Sequence, residues 1–265
     1  MVLNKLRPVR IIISTISVLV LISLLLGFGE VLAPVANTIL QLQFVPAFLS
    51  YYTAGTVVGI AVICFILLLT IFSGRIYCSS VCPLGTLQDA VSNLSIRTGV
   101  KRKHRFLPPA NTLRYSILAI TIVMFLSGFN LLLNLLDPFS IFGRFTVAIL
   151  RPIYLLAQNG LATLFEFFNI YLIPHEGLPI LSIFPTCFAF MMILLITGIS
   201  VRHGRLYCNT LCPVGTLLSL LARLSWLQLS LDQESCIGCG KCETVCKSSC
   251  INLTNNAIDM SRCVT

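Results

Sequence analysis

The sequence predicts an all-α polytopic membrane protein with about four transmembrane helices in two parallel, like-directed repeats and a small cysteine-rich segment at the C-terminal end. Three observations predict it. Apolar residues make up 57% of the 265 positions and charged residues only 10%, against roughly 25% charged in a soluble domain. That excludes a water-soluble globule, a disordered chain and a fibre. Four apolar runs reach the ~20 residues that a bilayer crossing needs. A block of 22 residues also occurs twice, after the second and after the fourth of these runs.

The runs are Ile11 to about Gly29, Thr53–Ser73, Tyr115–Leu136 and about Pro179–Val201. The first follows Lys5, Arg7 and Arg10 and is longer than the apolar core of a cleaved signal peptide, so it reads as a retained helix. The net charge of +9 orients the set. With the N-terminus inside, sixteen of the eighteen Lys and Arg fall on inner segments, which places both termini in the cytoplasm. Only Arg144 and Arg151 lie outside. With Gln158 they recur at i, i+7 and i+14, so Phe145–Ile173 reads as an amphipathic helix in the outer interface rather than a fifth span. The basic stretch Lys101–Arg105 sits beside the membrane, where it sets topology and touches anionic lipid; no nucleic acid is implied.

GRIYCSSVCPLGTLQDAVSNLS at 74–95 aligns without gaps on GRLYCNTLCPVGTLLSLLARLS at 204–225, an offset of 130 residues with 11 identities. Both copies leave a membrane helix in the same direction, so an axis along the membrane normal should relate them. Pro83 and Pro213 disfavour helix at Cys82 and Cys212 and suit the first position of a new one. The two Cys-x3-Cys-Pro turns therefore bring Cys78, Cys82, Cys208 and Cys212 toward one axis at the cytoplasmic surface. Helix N-termini and Arg75 or Arg205 would favour thiolates there, for metal or redox chemistry. The alternative is a structural turn with small buried thiols. The expected domains are 1–112 and 113–230, one membrane repeat each, and 231–265.

That last segment reads SCIGCGKCETVCKSSC, with Cys236, Cys239, Cys242 and Cys246 in the C-x2-C-x2-C-x3-C run of bacterial ferredoxins. Such spacing delivers thiolates to separate irons of a [4Fe–4S] cube, and Gly238 and Gly240 permit the tight loop. Zinc sites more often use separated C-x2-C pairs or His. The fourth ligand is left open among Cys246, Cys250 and Cys263. If the chain is cut inside a second motif beginning at Cys263, there are two clusters, and Cys246 and Cys263 belong to the second.

Two Cys-x3-Cys-Pro copies in a helical membrane chain, followed by this ferredoxin segment, resemble the NapH-type membrane iron–sulfur proteins. The membrane half of NosR and the CcoG-type proteins share the pattern, and LLDPFSIFGRF at 135–145 is also similar. Lys247 departs from it, standing where the ferredoxin pattern has Pro. The resemblance implies electron transfer at a bacterial cytoplasmic membrane, with 4Fe–4S clusters and redox partners such as a periplasmic cytochrome or flavoprotein. A quinone would bind at outer polar residues, for which the candidates are Asp137, Arg144, Arg151, Glu166, His175 and Glu176. A quinol dehydrogenase subunit is one form of this reading. The competing readings are copper or other metal handling through the repeated thiols, and a redox sensor or scaffold. Cys64 and Cys187, inside membrane helices, read as packing residues.

Overall fold

A computed structural model describes residues 2–27, 39–99, 106–171, 175–177, 182–229, 231, 236, 238–253 and 257–264. The stretch Lys101–Arg105 lies outside the described residues. The helices in chain order are α1 (Val2–Leu26), α2 (Phe44–Ala54), α3 (Val57–Ser73), α4 (Tyr77–Ser80), α5 (Pro83–Arg97), α6 (Asn111–Leu126) and α7 (Leu131–Leu136). They continue as α8 (Pro138–Phe145), a π turn (Thr146–Leu150), α9 (Arg151–Phe167), α10 (Ile183–His203), α11 (Leu206–Thr210), α12 (Pro213–Ala222) and α13 (Lys241–Val245). One hairpin, β1 (Ile251–Asn252) with β2 (Ala257–Ile258), pairs antiparallel with Ile251 opposite Ile258. The all-α fold class holds.

Among the described residues, three helices are long and apolar enough to cross a membrane: Pro8–Leu26, Pro138–Phe167 and Ile183–His203. Many of their large apolar side chains, Leu19, Ile153 and Leu194 among them, face outward, as a lipid-facing surface requires. The second expected span is the shorter Val57–Ser73, and the third divides. Gly128, at φ 86, ends α6, with its N–H and that of Phe129 returned to the carbonyls of Phe125 and Met124. A glycine in the left-handed region closes a helix this way. The chain then comes back through α7.

The segment expected to lie in the outer interface from Phe145 instead begins at Asp137. The Asp137 carboxylate accepts from Ser140 N at 2.8 Å, and Pro138 takes the first helical position, the favoured cap and opener. The helix runs on to Phe167 through the π turn. Pro152 supplies no N–H and crowds the carbonyl four residues back, and the wider turn just before it absorbs that mismatch.

The repeats behave alike locally. Gly74 (φ 75) and Gly204 (φ 67) end the helices before each motif, and Pro83 and Pro213 open α5 and α12. The packing is crossed: α5 of the first repeat lies on α10 of the second, and α12 of the second lies on α3 of the first. Trp226 N donates to Ile71 O at 3.0 Å, and Ser95 Oγ to Val201 O at 3.5 Å. Ile71 and Val201 are themselves 130 residues apart, as the pseudo-twofold relation demands.

Candidate metal centres

The core of the molecule is the motif itself. Cys78, Cys82, Cys208 and Cys212 are all buried, in one cluster with Leu84, Ile141, Ile196 and Leu218. Each of Cys82, Cys208 and Cys212 lies within electrostatic reach of other members of the quartet. The four thiols thus gather from both repeats. Arginines clasp the two halves reciprocally: Arg75 Nη2 donates to Cys208 O at 3.1 Å, and Arg205 Nη1 to Cys78 O at 3.4 Å. Gly85 and Gly215 pass so close to those same two carbonyls that a Cβ on either would collide with them.

The quartet is buried inside the protein, and Ser17 of α1 donates to Val81 O beside Cys82 at 3.4 Å. Free thiolates do not follow: burial, and then the neighbouring thiols, push Cys82, Cys208 and Cys212 up, and a bound cation would have to displace their protons. Among the described residues no three Cys, His, Asp or Glu side chains are placed to hold one ion. A multi-iron cluster makes a different demand, since each thiolate holds its own iron.

Tyr77 and Tyr207, each one residue before the first thiol of its motif, adjoin this layer. Tyr77 Oη donates to Gln43 Oε1 at 3.1 Å and accepts from Phe44 N at 3.0 Å; Tyr207 Oη donates to Leu136 O at 2.9 Å. Their common place in the repeat was the available signal. Asp137 is buried beside Tyr207, at the thiol layer. Of the other quinone candidates, Glu166 pairs with His175 at 3.0 Å in an exposed position, and Asn159, on the same helix α9, holds the backbone of the adjacent Glu176. Arg144 donates to Asn134 O, and Arg151 Nε has no hydrogen-bond partner among the described residues. An open apolar groove of about 880 Å³ lies elsewhere, between Phe65, Phe72, Leu224 and Trp226. Cys64 and Cys187 are exposed on their helices rather than packed.

The C-terminal segment divides its cysteines. Cys236 and Cys239 are exposed and Cys242 half-buried on a loop where Gly238 (φ 66) and Gly240 (φ 68) make the turns. Cys246 Sγ lies 3.4 Å from Cys250 Sγ. Hydrogen bonding with Cys250 holds the Cys246 thiol down to about 6 and lowers Cys263 as well, and the same contacts raise Cys250. This segment is bonded straight onto the motif. Arg205 N donates to Lys247 O, Asn209 Nδ2 to Ser248 O, and Arg75 Nη1 to Ser261 O at 3.3 Å.

Family comparison agrees with this layout. A 4Fe–4S binding domain model matches residues 56–101 and again 184–230, covering both copies of the repeat, and a second 4Fe–4S binding domain model matches 229–252. The chain is 26% identical to the putative electron transport protein YccM of Escherichia coli, over 66% of this chain and 42% of that protein. It is 28% identical to the methylamine utilization ferredoxin-type protein MauN of Methylobacillus flagellatus, over 66% and 49%. It is 23% identical to the ferredoxin-type protein NapH of Haemophilus influenzae, over 73% and 54%. The chain thus spans about half the length of these curated relatives. No solved structure matches it. The chain thus matches 4Fe–4S binding domains over both repeats and the C-terminal segment, and its resemblance to ferredoxin-type proteins of the NapH type stands.

Proposed function

We propose that this chain is a membrane electron-transfer protein in which iron–sulfur centres on the C-terminal segment exchange electrons with the buried thiol layer. The observation that carries the reading is the direct bonding of Lys247, Ser248 and Ser261 to the motif residues Arg205, Asn209 and Arg75. The thiol-rich donor sets fit iron–sulfur ligation, and the clusters would supply one-electron chemistry. Cys236, Cys239 and Cys242 would hold the exposed centre, where a redox partner protein can approach. Cys78, Cys82, Cys208 and Cys212 would hold a centre inside the protein, with Tyr77, Tyr207 and Asp137 sealing it from water. The charge distribution supports a multi-pass protein of a bacterial cytoplasmic membrane with both termini cytoplasmic. A quinone or a periplasmic cytochrome is then the expected exchange partner on the far side.

Anaerobically purified protein should contain iron and acid-labile sulfide. Cys239→Ser should remove about four irons per chain and one EPR signal while the helical circular dichroism stays unchanged. Stoichiometric zinc without iron in the wild-type protein would overturn the reading.

A further inference from the structure

The repeats match in backbone but not in charge. Positions 89 and 219 are equivalent. Asp89 grips Arg205 through both oxygens, at 2.6 and 2.7 Å, and takes Lys247 at 3.1 Å. Its counterpart is Ser219, whose hydroxyl accepts from Arg114. Arg75, the counterpart of Arg205, has no carboxylate partner among the described residues. It donates only to neutral groups, Asn209 Oδ1 at 2.8 Å and the carbonyls of Cys208 and Ser261, and its Nε has no hydrogen-bond partner. Arg114 is in the same position, bonded to the hydroxyls of Ser219 and Ser261 with Nε unpartnered. The two guanidiniums are 0% and 1% exposed. Asp259, the acid that acts on Arg114, is itself bound to Arg262 at 2.7 Å.

Arg75, Arg114 and Arg262 thus share the single carboxylate of Asp259, which reaches the first two through Ser261; buried positive charge in such excess is unfavourable and points to a further anionic group beside it. The cysteines adjoin this charge: Arg75 donates to the carbonyl of Ser261, two residues before the buried Cys263, and Cys250, also buried, lies Sγ to Sγ 3.4 Å from Cys246. Iron–sulfur centres bound by thiolates are anionic and gain a further negative charge on reduction.

We propose that Arg75 and Arg114 are the counter-charge of an iron–sulfur centre held by Cys246, Cys250 and Cys263, distinct from the one at Cys236, Cys239 and Cys242, and that Ser219 leaves this charge unneutralised. The proposal rests on the iron–sulfur reading above. The uncompensated charge favours the reduced form, so the buried centre accepts electrons from the exposed one and stands between it and the thiol layer. The residue at 219 sets the potential without touching the centre.

The test is an EPR-monitored redox titration of the anaerobically purified full chain. Cys263→Ser identifies the signal of the buried centre and Cys239→Ser that of the exposed one. Ser219→Asp restores the missing carboxylate. It should lower the buried centre's midpoint by about 59 mV, tenfold in a one-electron equilibrium, and leave the exposed centre in place. Ser219→Asn, of the same size without charge, should move neither. Arg114→Gln should shift the buried centre in the same direction and stands in if Ser219→Asp fails to fold. An unchanged midpoint in both charge variants, or an equal shift of both centres, overturns the proposal. So does a single centre that Cys263→Ser and Cys250→Ser leave intact. A wild-type chain without iron defeats the underlying iron–sulfur reading, whereas iron present with no response to Ser219→Asp defeats this proposal alone.

Discussion

Gly85→Ala and Gly215→Ala should each dismantle the thiol layer. A Cβ at either position would meet a backbone carbonyl, that of Cys78 or Cys208, far inside van der Waals contact, and at Gly215 it would also press on Arg75 Nη2 at 2.9 Å. The obstacle is main chain pinned by the arginine clasp, so it cannot rotate away as a side-chain end would. Overpacking of a tight core costs about 1–3 kcal/mol, occasionally more, and the upper part of that range is expected here. Membrane-permeant maleimide should label Cys78 and Cys208 readily in these variants and slowly in the wild type. Gly143→Ala and Gly160→Ala are the controls. Both positions are helical with nothing within 4 Å of the added carbon, so the change should be neutral or stabilising by up to ~1 kcal/mol. Unaltered labelling in the Gly215 variant would show that the close approach is not a packing requirement.

Arg205→Ala should cost about 3–5 kcal/mol, the usual penalty for removing one partner of a buried ion pair. Arg205 is 3% exposed and Asp89 16%, so Asp89 would keep only Lys247. Detergent-resistant tertiary structure and protection of the C-terminal segment from protease should both be lost. Asp89→Asn should be milder, since an amide still accepts from Arg205. The pH dependence follows from the same contacts. Burial alone would raise the Asp89 carboxyl, but Arg205 and then Lys247 outweigh it and hold the group below its ordinary range. The stabilisation is therefore complete above the unfolded value of about 3.9 and is lost as pH falls through the lower folded value. Asp89→Asn should flatten the acid limb of the stability curve below about pH 4 and leave the neutral region parallel to wild type. An acid limb identical in the two proteins would mean that Asp89 is not what titrates there.

The repeat was legible because identities at Gly74, Arg75, Tyr77, Cys78, Cys82, Pro83 and Gly85 survive in the second copy. Turn, cap and helix start follow from local chemistry, and all appear as expected. Crossed packing was not legible: two similar segments announce a duplication, but not that each lies on the other's membrane helix. The same holds for Ser219. Its difference from Asp89 is plain in the alignment, yet it acquires meaning only when Arg75 is seen to reach Cys208, 133 residues away. Hydropathy concealed the break at Gly128, because an apolar run carries no record of a positive φ, so the burial of Asp137 beside Tyr207 was not legible either. Motif spacing grouped Cys246 with Cys242, whereas the β hairpin folds the chain back and brings Cys250 and Cys263 to it.

The crossed arginine clasp bears on how the protein is made. Asp89 waits for a partner 116 residues further along the chain, which at about 5–20 residues per second is a gap of roughly 6–23 s. During that interval the nascent first half holds an acid, an arginine and two thiols, none of which can be satisfied by its own residues. Biogenesis must therefore keep the first half shielded at the insertion machinery, or open to water, until the second half emerges. The quartet of repeat thiols, likewise, is complete only once Cys208 and Cys212 of the second half have joined Cys78 and Cys82.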